Sequence, residues 1–131
     1  MIVKVDHIGI AVNSLEEAIK LYADALGLES EHTETVVEQR VKAAMIPVGD
    51  TRIELLESTD SEGPIAKHIQ KRGEGIHHLA IEVSDIEGML EAMKARGIPL
   101  VDMEPRIGAG GTRVAFLHPR ATKVLIELVE H

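Results

Sequence analysis

The chain contains an internal repeat, and this repeat is the feature that most restricts its fold. When the sequence is shifted by 71 residues, HIGIAVNSLE at 7–16 falls on HLAIEVSDIE at 78–87. At an offset of 73 residues, IELLE at 53–57 falls on IELVE at 126–130. Since the two matches occur in the same order at nearly equal offsets, they indicate that one unit has been duplicated.

Each copy predicts the same order of secondary structure. A first strand with alternating apolar residues is followed by a helix. Ser14 and Glu17 fit a capping box and Gly27 suits the end of the first helix, while the second helix begins at Ser84 or Asp85. Three more strands then follow in each copy, predicted at 29–36, 40–48 and 51–57 and at 99–104, 112–118 and 123–130.

The order βαβββ–linker–βαβββ predicts an α+β domain with two copies of one sheet pattern. The first module covers about residues 1–60, and the second about residues 75–131. Between them, residues 61–74 have the Gly and Pro content of a linker with one short helix starting at Pro64. We therefore expect a single domain built from two equivalent modules.

The composition excludes several classes of function. The chain has no cysteine, which excludes disulfides and thiolate metal sites and favours a reducing compartment, so a cytoplasmic location is expected. Lys4 and Asp6 interrupt the apolar residues at the start, unlike a signal peptide, and no apolar run is long enough to cross a membrane. The formal net charge of −8 argues against nucleic acid as a partner.

Four residues in equivalent positions form the candidate site. His7 and His78 occupy matching places in the first strand of each copy, on the face opposite its alternating apolar residues. Glu54 and Glu127 match in the last strand, between apolar neighbours. Two imidazoles and two carboxylates are a natural ligand set for one divalent cation, with positions left open for substrate. His77 aligns with Asp6 and is interpreted as structural or as a support for a neighbouring ligand.

The sequence resembles the methylmalonyl-CoA epimerase family of the vicinal-oxygen-chelate (glyoxalase/bleomycin-resistance) superfamily along nearly its whole length. The matching segments are DHIGIAV, GDTRIELLE, HHLAIEV, IGAGGTRVAFLHP and VLIELVE. The combination of HHLAIEV with GAGGTRVAFLHP is specific to that family, whereas the paired His/Glu pattern is shared by the superfamily. The resemblance implies two βαβββ modules forming a curved, partly closed eight-stranded sheet around a metal site, and a homodimer.

The resemblance also implies roles for individual residues. The family's metal ligands fall on His7, Glu54, His78 and Glu127, and the expected ion is Co²⁺, with Zn²⁺, Mn²⁺, Ni²⁺ and Mg²⁺ as alternatives. The family's proton-transfer carboxylates fall on Glu38 and on Glu127, which would be both base and ligand. In many members Gly stands where this chain has Arg40. The expected substrate is a small-molecule CoA thioester, epimerised by proton removal next to the thioester carbonyl.

The stretch RIGAGGTR is a candidate substrate loop. Its Arg106 and Arg113 flank a turn that contains Gly110 and Gly111, and all four are candidate substrate-binding residues. The alternative interpretation is a simple hairpin turn, since no P-loop motif is present. Two alternatives to the epimerase remain at this point: a glyoxalase I–like isomerase of hemithioacetals, and a non-catalytic small-molecule-binding module on the same fold.

Overall fold

The computed structural model describes the whole chain, Met1–His131. It is an α+β structure of eight strands and four helices, which confirms the predicted class. The strands are β1 (Ile2–Ala11), β2 (His32–Val36), β3 (Val41–Val48), β4 (Thr51–Ser58), β5 (Gly75–Val83), β6 (Arg106–Ile107), β7 (Arg113–Phe116) and β8 (Ile126–Glu130). The helices are α1 (Leu15–Leu26), α2 (Pro64–Arg72), α3 (Ile86–Ala95) and α4 (Pro119–Thr122). No helix has the length and apolar character needed to cross a bilayer.

The chain divides into two compact units, His7–His77 and Met1–Asp6 with His78–His131. In the His7–His77 unit the strand order is β2-β3-β4-β1, and β1 runs parallel to β4 while the other neighbours are antiparallel. In the other unit β5 runs parallel to β8, followed by β7 and β6 in antiparallel order. The topology of the second unit thus repeats that of the first, as the sequence repeat predicts.

Each unit packs one helix on the apolar face of its sheet. In the His7–His77 unit, Leu15 of α1 packs with Val12, Ile46 and Leu55. In the other unit, Ile86 and Leu90 of α3 pack with a second set of strand residues, Val83, Ala115, Leu117 and Leu128. Because successive strand side chains alternate between faces, the neighbours of these core residues point to the opposite face of each sheet. That opposite face carries the candidate ligands.

A carboxylate at the end of the last strand ties the helix to the sheet in both units. Glu57 Oε1 accepts a hydrogen bond from the backbone N–H of Leu15 at 2.7 Å. Glu130 Oε2 accepts one from the N–H of Ile86 at 3.1 Å. Acceptors at a helix N-terminus satisfy amides that have no partner within the helix and complement its dipole. The side-chain caps Ser14 and Asp85 add a further acceptor to each helix.

The strand predicted at 99–104 is absent, and the shorter β6 lies at Arg106–Ile107 instead. Only one bridge, Leu100 to Leu117, marks the predicted position. The reason is that the carboxylate of Asp102 accepts a hydrogen bond from the backbone N–H of Phe116 at 2.8 Å. In a regular β-ladder a backbone carbonyl would accept this bond instead. Pro105 cannot donate a backbone hydrogen bond, which further prevents a continuous strand.

The turn between β2 and β3 contains a residue in a conformation that glycine prefers. Arg40 has φ 56° and ψ 44°, the left-handed region, at the end of the short 3₁₀ turn Val37–Gln39. For a residue with a Cβ atom this conformation costs about 1–2 kcal/mol. The family resemblance, which places Gly at this position in many members, agrees with this geometry.

We expect Arg40→Gly to raise the free energy of unfolding by about 0.5 kcal/mol, because relief of the left-handed strain exceeds the added flexibility of the unfolded chain. The exposed ion pair from Arg40 Nε to Asp60 Oδ2, at 3.6 Å, contributes little. Chemical denaturation would measure the change, with Arg40→Ala as the control that loses the ion pair and keeps the strain. A glycine variant less stable than the alanine variant would contradict this account.

Candidate metal centre and active site

In the His7–His77 unit, β1 and β4 bring His7 and Glu54 together. The register of these parallel strands places Gly9 opposite Glu54, so His7 is the next residue on the same face. Gly9 has no side chain between them. His7 Nε2 lies 3.3 Å from Glu54 Oε1, and both side chains are buried.

In the other unit, β5 and β8 bring His78 and Glu127 together in the same way. Ala80 lies opposite Glu127, which again leaves the His two residues back on the same face and a small residue across from the carboxylate. His78 Nε2 lies 3.2 Å from Glu127 Oε1, and both side chains are buried. The duplicated sequence therefore produces one His–Glu pair per unit, with matching geometry.

The geometry of each pair fits the ligand shell of a divalent cation. Two ligand atoms that each lie about 2.1 Å from one ion stand roughly 3.0–3.4 Å apart, depending on the coordination angle. The nitrogen–oxygen separations of 3.3 and 3.2 Å in the two pairs lie within that range. Imidazole nitrogen with carboxylate oxygen is a donor set used for Zn²⁺, Co²⁺, Ni²⁺ and Mn²⁺. The residues present thus fit a divalent metal ion.

The buried polar residues of the chain are the four predicted ligands and Asp6. Burying an ionisable side chain is costly unless it is paired, so such residues are usually retained for function or for a specific contact. Sequence reasoning did not single out Asp6. Its carboxylate Oδ1 lies 2.7 Å from Nε2 of His131, a partner that is 125 residues away in the sequence.

The two adjacent histidines of β5 have different surroundings. His78 is buried against Glu127, and its ring meets that of Phe116 edge-on with 5.7 Å between ring centres. The His77 ring instead meets His68 of α2, with 4.9 Å between ring centres. Partial burial lowers the pKa of His68, and the nearby charge of Arg72 lowers it further, so this ring contact is made by a neutral imidazole at pH 7. The structural interpretation of His77 agrees with this contact.

Glu38 lies on the 3₁₀ turn between β2 and β3 and is exposed. It forms no hydrogen bond and no ion pair in the structure. An exposed carboxylate without a protein partner is available to accept a proton from a substrate. Its role in catalysis stays a prediction.

The two arginines of the candidate substrate loop differ in their partners. The guanidinium of Arg113 is hydrogen bonded to Glu87 and to Glu130 Oε1, the latter at 3.0 Å. The bond to Glu87 is the main cause of a raised pKa for Arg113. Arg106 is half-exposed and has one carboxylate nearby, Asp102 Oδ1 at 3.4 Å from Arg106 Nε.

The loop between β6 and β7 contains the predicted glycines in left-handed conformations. Gly110 has φ 68° and Gly111 has φ 73°, in the 3₁₀ turn Ala109–Gly111. A residue with a Cβ atom would be strained at either position. The predicted turn is therefore present, whereas contact with a substrate stays a prediction.

Phe116 and Asp102 were not recognised in the sequence, although they adjoin the candidate site. Phe116 lies opposite Glu127 in the β7–β8 ladder and contacts His78. Asp102 fixes the backbone of Phe116 and lies beside Arg106. No periodicity marks Asp102, because its role depends on a hydrogen bond across the irregular segment before β6.

The similarity of the chain to known proteins agrees with the geometry of the site. The sequence profile of the Glyoxalase/Bleomycin resistance protein/Dioxygenase superfamily matches residues 6–116. The chain belongs to this superfamily, as its sequence predicted.

Within the superfamily the chain is a homologue of methylmalonyl-CoA epimerases. A crystal structure of methylmalonyl-CoA epimerase from Mycobacterium tuberculosis is 39% identical, with a TM-score of 0.94 over 98% of this chain and 88% of that one. A methylmalonyl-CoA epimerase in complex with methylmalonyl-CoA and NH₄⁺ is 35% identical, with a TM-score of 0.93 over 99% and 95%. An uncharacterised Bacillus subtilis protein, YqjC, is 40% identical over 97% of this chain and 91% of its own length. These homologues confirm the predicted resemblance and the expectation of an enzyme of the isomerase type.

Proposed function

We propose that this protein epimerises (2R)- and (2S)-methylmalonyl-CoA in a metal-dependent reaction. The observation that carries the proposal is the pair of buried His–Glu contacts, one in each unit, with nitrogen–oxygen separations of 3.3 and 3.2 Å. The homologous epimerase in complex with methylmalonyl-CoA supports the choice of substrate.

We assign the metal ligands to His7, Glu54, His78 and Glu127. When bound there, a divalent cation would stabilise the negative charge that develops on the thioester oxygen as the substrate is deprotonated. Co²⁺ remains the expected ion. Burial of all four side chains supports the assignment, because buried ionisable groups in proteins are usually paired or coordinate a metal.

Two carboxylates perform the proton transfers in this proposal. One removes the proton from the carbon between the thioester and the substrate carboxylate, and the electron pair of the broken C–H bond moves into the thioester carbonyl to form an enolate. The other delivers a proton to the opposite face of the same carbon, which inverts it. Glu38 is assigned to one face and Glu127 to the other. Glu127 would hold the metal through one oxygen and act as the base through the other.

The remaining substrate contacts are assigned to the β6–β7 loop, with Arg106, Gly110, Gly111 and Arg113. We also propose a homodimer, for which the exposed apolar side chains of Val3 and Val5, on one face at the start of β1, are a suitable contact surface. The proposed compartment is the cytoplasm, which suits a chain without cysteine.

Deuterium exchange provides the direct test. One epimer of methylmalonyl-CoA in D₂O should incorporate deuterium at the α-carbon and yield the other epimer when the metal-loaded protein is added. Absence of both exchange and inversion would rule out the proposed activity. Methylglyoxal with glutathione, assayed in parallel, should give no product above the uncatalysed rate, and turnover there would favour the glyoxalase alternative.

A further inference from the structure

Three side chains beside His78, those of Phe116, Arg106 and Asp102, form a connected group. The Phe116 ring meets the His78 ring edge-on, at an interplanar angle of 85°. Arg106 stacks on the same Phe116 ring, with its Cζ atom 5.3 Å from the ring centre. Asp102 contacts both members of this stacked pair, through the Phe116 backbone N–H at 2.8 Å and through Arg106 Nε at 3.4 Å.

The guanidinium of Arg106 therefore has two contacts, one on its planar face and one at its Nε edge. The aromatic ring supports its plane, since a cation over an aromatic face is attracted to the ring electrons. The Asp102 carboxylate, whose side chain is 16% exposed, stands at the Nε edge. The two terminal amino groups of Arg106 have no hydrogen-bond partner in the structure. They are the part of a guanidinium that binds an oxyanion in a bidentate manner.

We propose that Asp102 is a positioning residue that holds Arg106 on the ring of Phe116 beside His78, and that the guanidinium so held binds an anionic group of the substrate. This inference rests on the proposed function, because the substrate is taken to be a malonyl-type CoA thioester. It narrows the assignment of two arginines to the substrate: Arg106 binds the substrate, and Arg113 has a structural role instead.

The charge surroundings of the two arginines support this separation. Arg113 is shared by two carboxylates, Glu87 and Glu130, so its site has no positive charge left for an anion. Glu130 also holds the start of α3, which gives Arg113 a structural task. Arg106 faces one carboxylate. In a chain with net charge −8, a local cation is needed to bring an anionic substrate to the site.

The anionic group has two sources in such a substrate, the carboxylate of the acyl group and the phosphates of CoA. Both are oxyanions that match the guanidinium fork. Two probes separate them: the methylmalonyl thioester of N-acetylcysteamine, which has the carboxylate and no phosphate, and propionyl-CoA, which has the phosphates and no free carboxylate.

The experiment compares Arg106→Gln, Asp102→Asn and Asp102→Ala with wild type. Arg96→Gln is the matched control, because it removes an exposed arginine of the same unit outside this group. We expect Arg106→Gln to raise KM for methylmalonyl-CoA about tenfold with kcat changed by less than about threefold, as expected for loss of a charge-assisted hydrogen bond. Asp102→Asn keeps an acceptor for the Phe116 amide and should give a smaller rise in KM than Asp102→Ala.

A double variant tests whether Asp102 acts through Arg106. Asp102→Asn should add no further rise in KM to Arg106→Gln, because residues that act as one unit are not additive. An equal rise in both backgrounds would overturn the positioning role. Since Asp102→Asn retains the backbone hydrogen bond, this comparison does not depend on whether Asp102→Ala folds.

The probes identify the bound group. If Arg106→Gln weakens binding of the N-acetylcysteamine thioester but not inhibition by propionyl-CoA, the group bound by Arg106 is the carboxylate. If it weakens inhibition by propionyl-CoA but not binding of the N-acetylcysteamine thioester, the bound group is a phosphate. If KM and the inhibition constant of Arg106→Gln equal those of Arg96→Gln, Arg106 is a surface ion pair only and the inference is wrong. Failure of the proposed function is seen separately, as an inactive wild type. In that case calorimetry of propionyl-CoA and of the N-acetylcysteamine thioester with wild type and Arg106→Gln still tests the anion contact.

Discussion

His78→Ala is expected to abolish stoichiometric binding of a divalent metal ion and to lower kcat for methylmalonyl-CoA by at least about a thousandfold. The reason is that the bound cation would supply several kcal/mol of charge stabilisation in the transition state, and each 1.36 kcal/mol corresponds to a factor of ten in rate. His7→Ala should behave alike, since His7 and His78 hold equivalent positions against Glu54 and Glu127.

The neighbouring histidine offers a matched control. His77→Ala removes the same side chain one position away on β5, where the ring contacts His68 rather than a carboxylate. It should leave metal content and kcat within about twofold of wild type. Metal analysis after dialysis, together with steady-state kinetics, measures both quantities. Removal of the metal from wild type with a chelator should stop turnover, and added Co²⁺ should restore it. A fully active, metal-free His78→Ala enzyme would contradict the assignment.

Glu38→Gln is expected to lower kcat by about 10²–10⁴-fold while the metal content stays unchanged. This is the usual range for loss of a general acid–base group, and Gln has nearly the same shape as Glu but cannot take up a proton. Glu31→Gln serves as the control, because Glu31 is another exposed glutamate in the segment between α1 and β3. The control should retain wild-type kinetics.

Isotope exchange tests the predicted role of Glu38 more specifically than a measurement of kcat does. If Glu38 and Glu127 act on opposite faces, Glu38→Gln should still exchange deuterium into the epimer whose proton faces Glu127. Inversion should be lost, since no second acid is left to protonate the opposite face. Unchanged inversion in Glu38→Gln would return Glu38 to the role of an ordinary surface residue.

The sequence predicted the elements that local patterns determine. The alternating apolar residues of β1 and β5 and the caps at Ser14 and Gly27 all appear as expected. The internal repeat also predicted the equivalent strand order in the two units. Local patterns were sufficient here because periodicity and capping depend on neighbours in the sequence.

The segment before β7 shows where local patterns are insufficient. The predicted strand at 99–104 was wrong because the Asp102 side chain takes a backbone hydrogen bond 14 residues away. The contact of Asp6 with His131 spans 125 residues and has no local signal at all. The internal repeat pointed to the four proposed ligands, and their burial agrees with that prediction. Their binding of a metal stays a prediction. The placement of a linker between the two modules at 61–74 also stays a prediction.

The motif that ends each repeat, IELLE in the first and IELVE in the second, limits the mutations that the chain can tolerate. In IELLE and IELVE, one glutamate contacts a histidine and the glutamate three positions later holds a helix start. Insertion of a single residue within either strand would reverse the faces of all later side chains and misplace at least one of the two carboxylates. We therefore expect length changes to be rejected within 53–57 and 126–130 and accepted in the exposed turn at 59–62, so that the spacing of residues in these strands matters as well as their type.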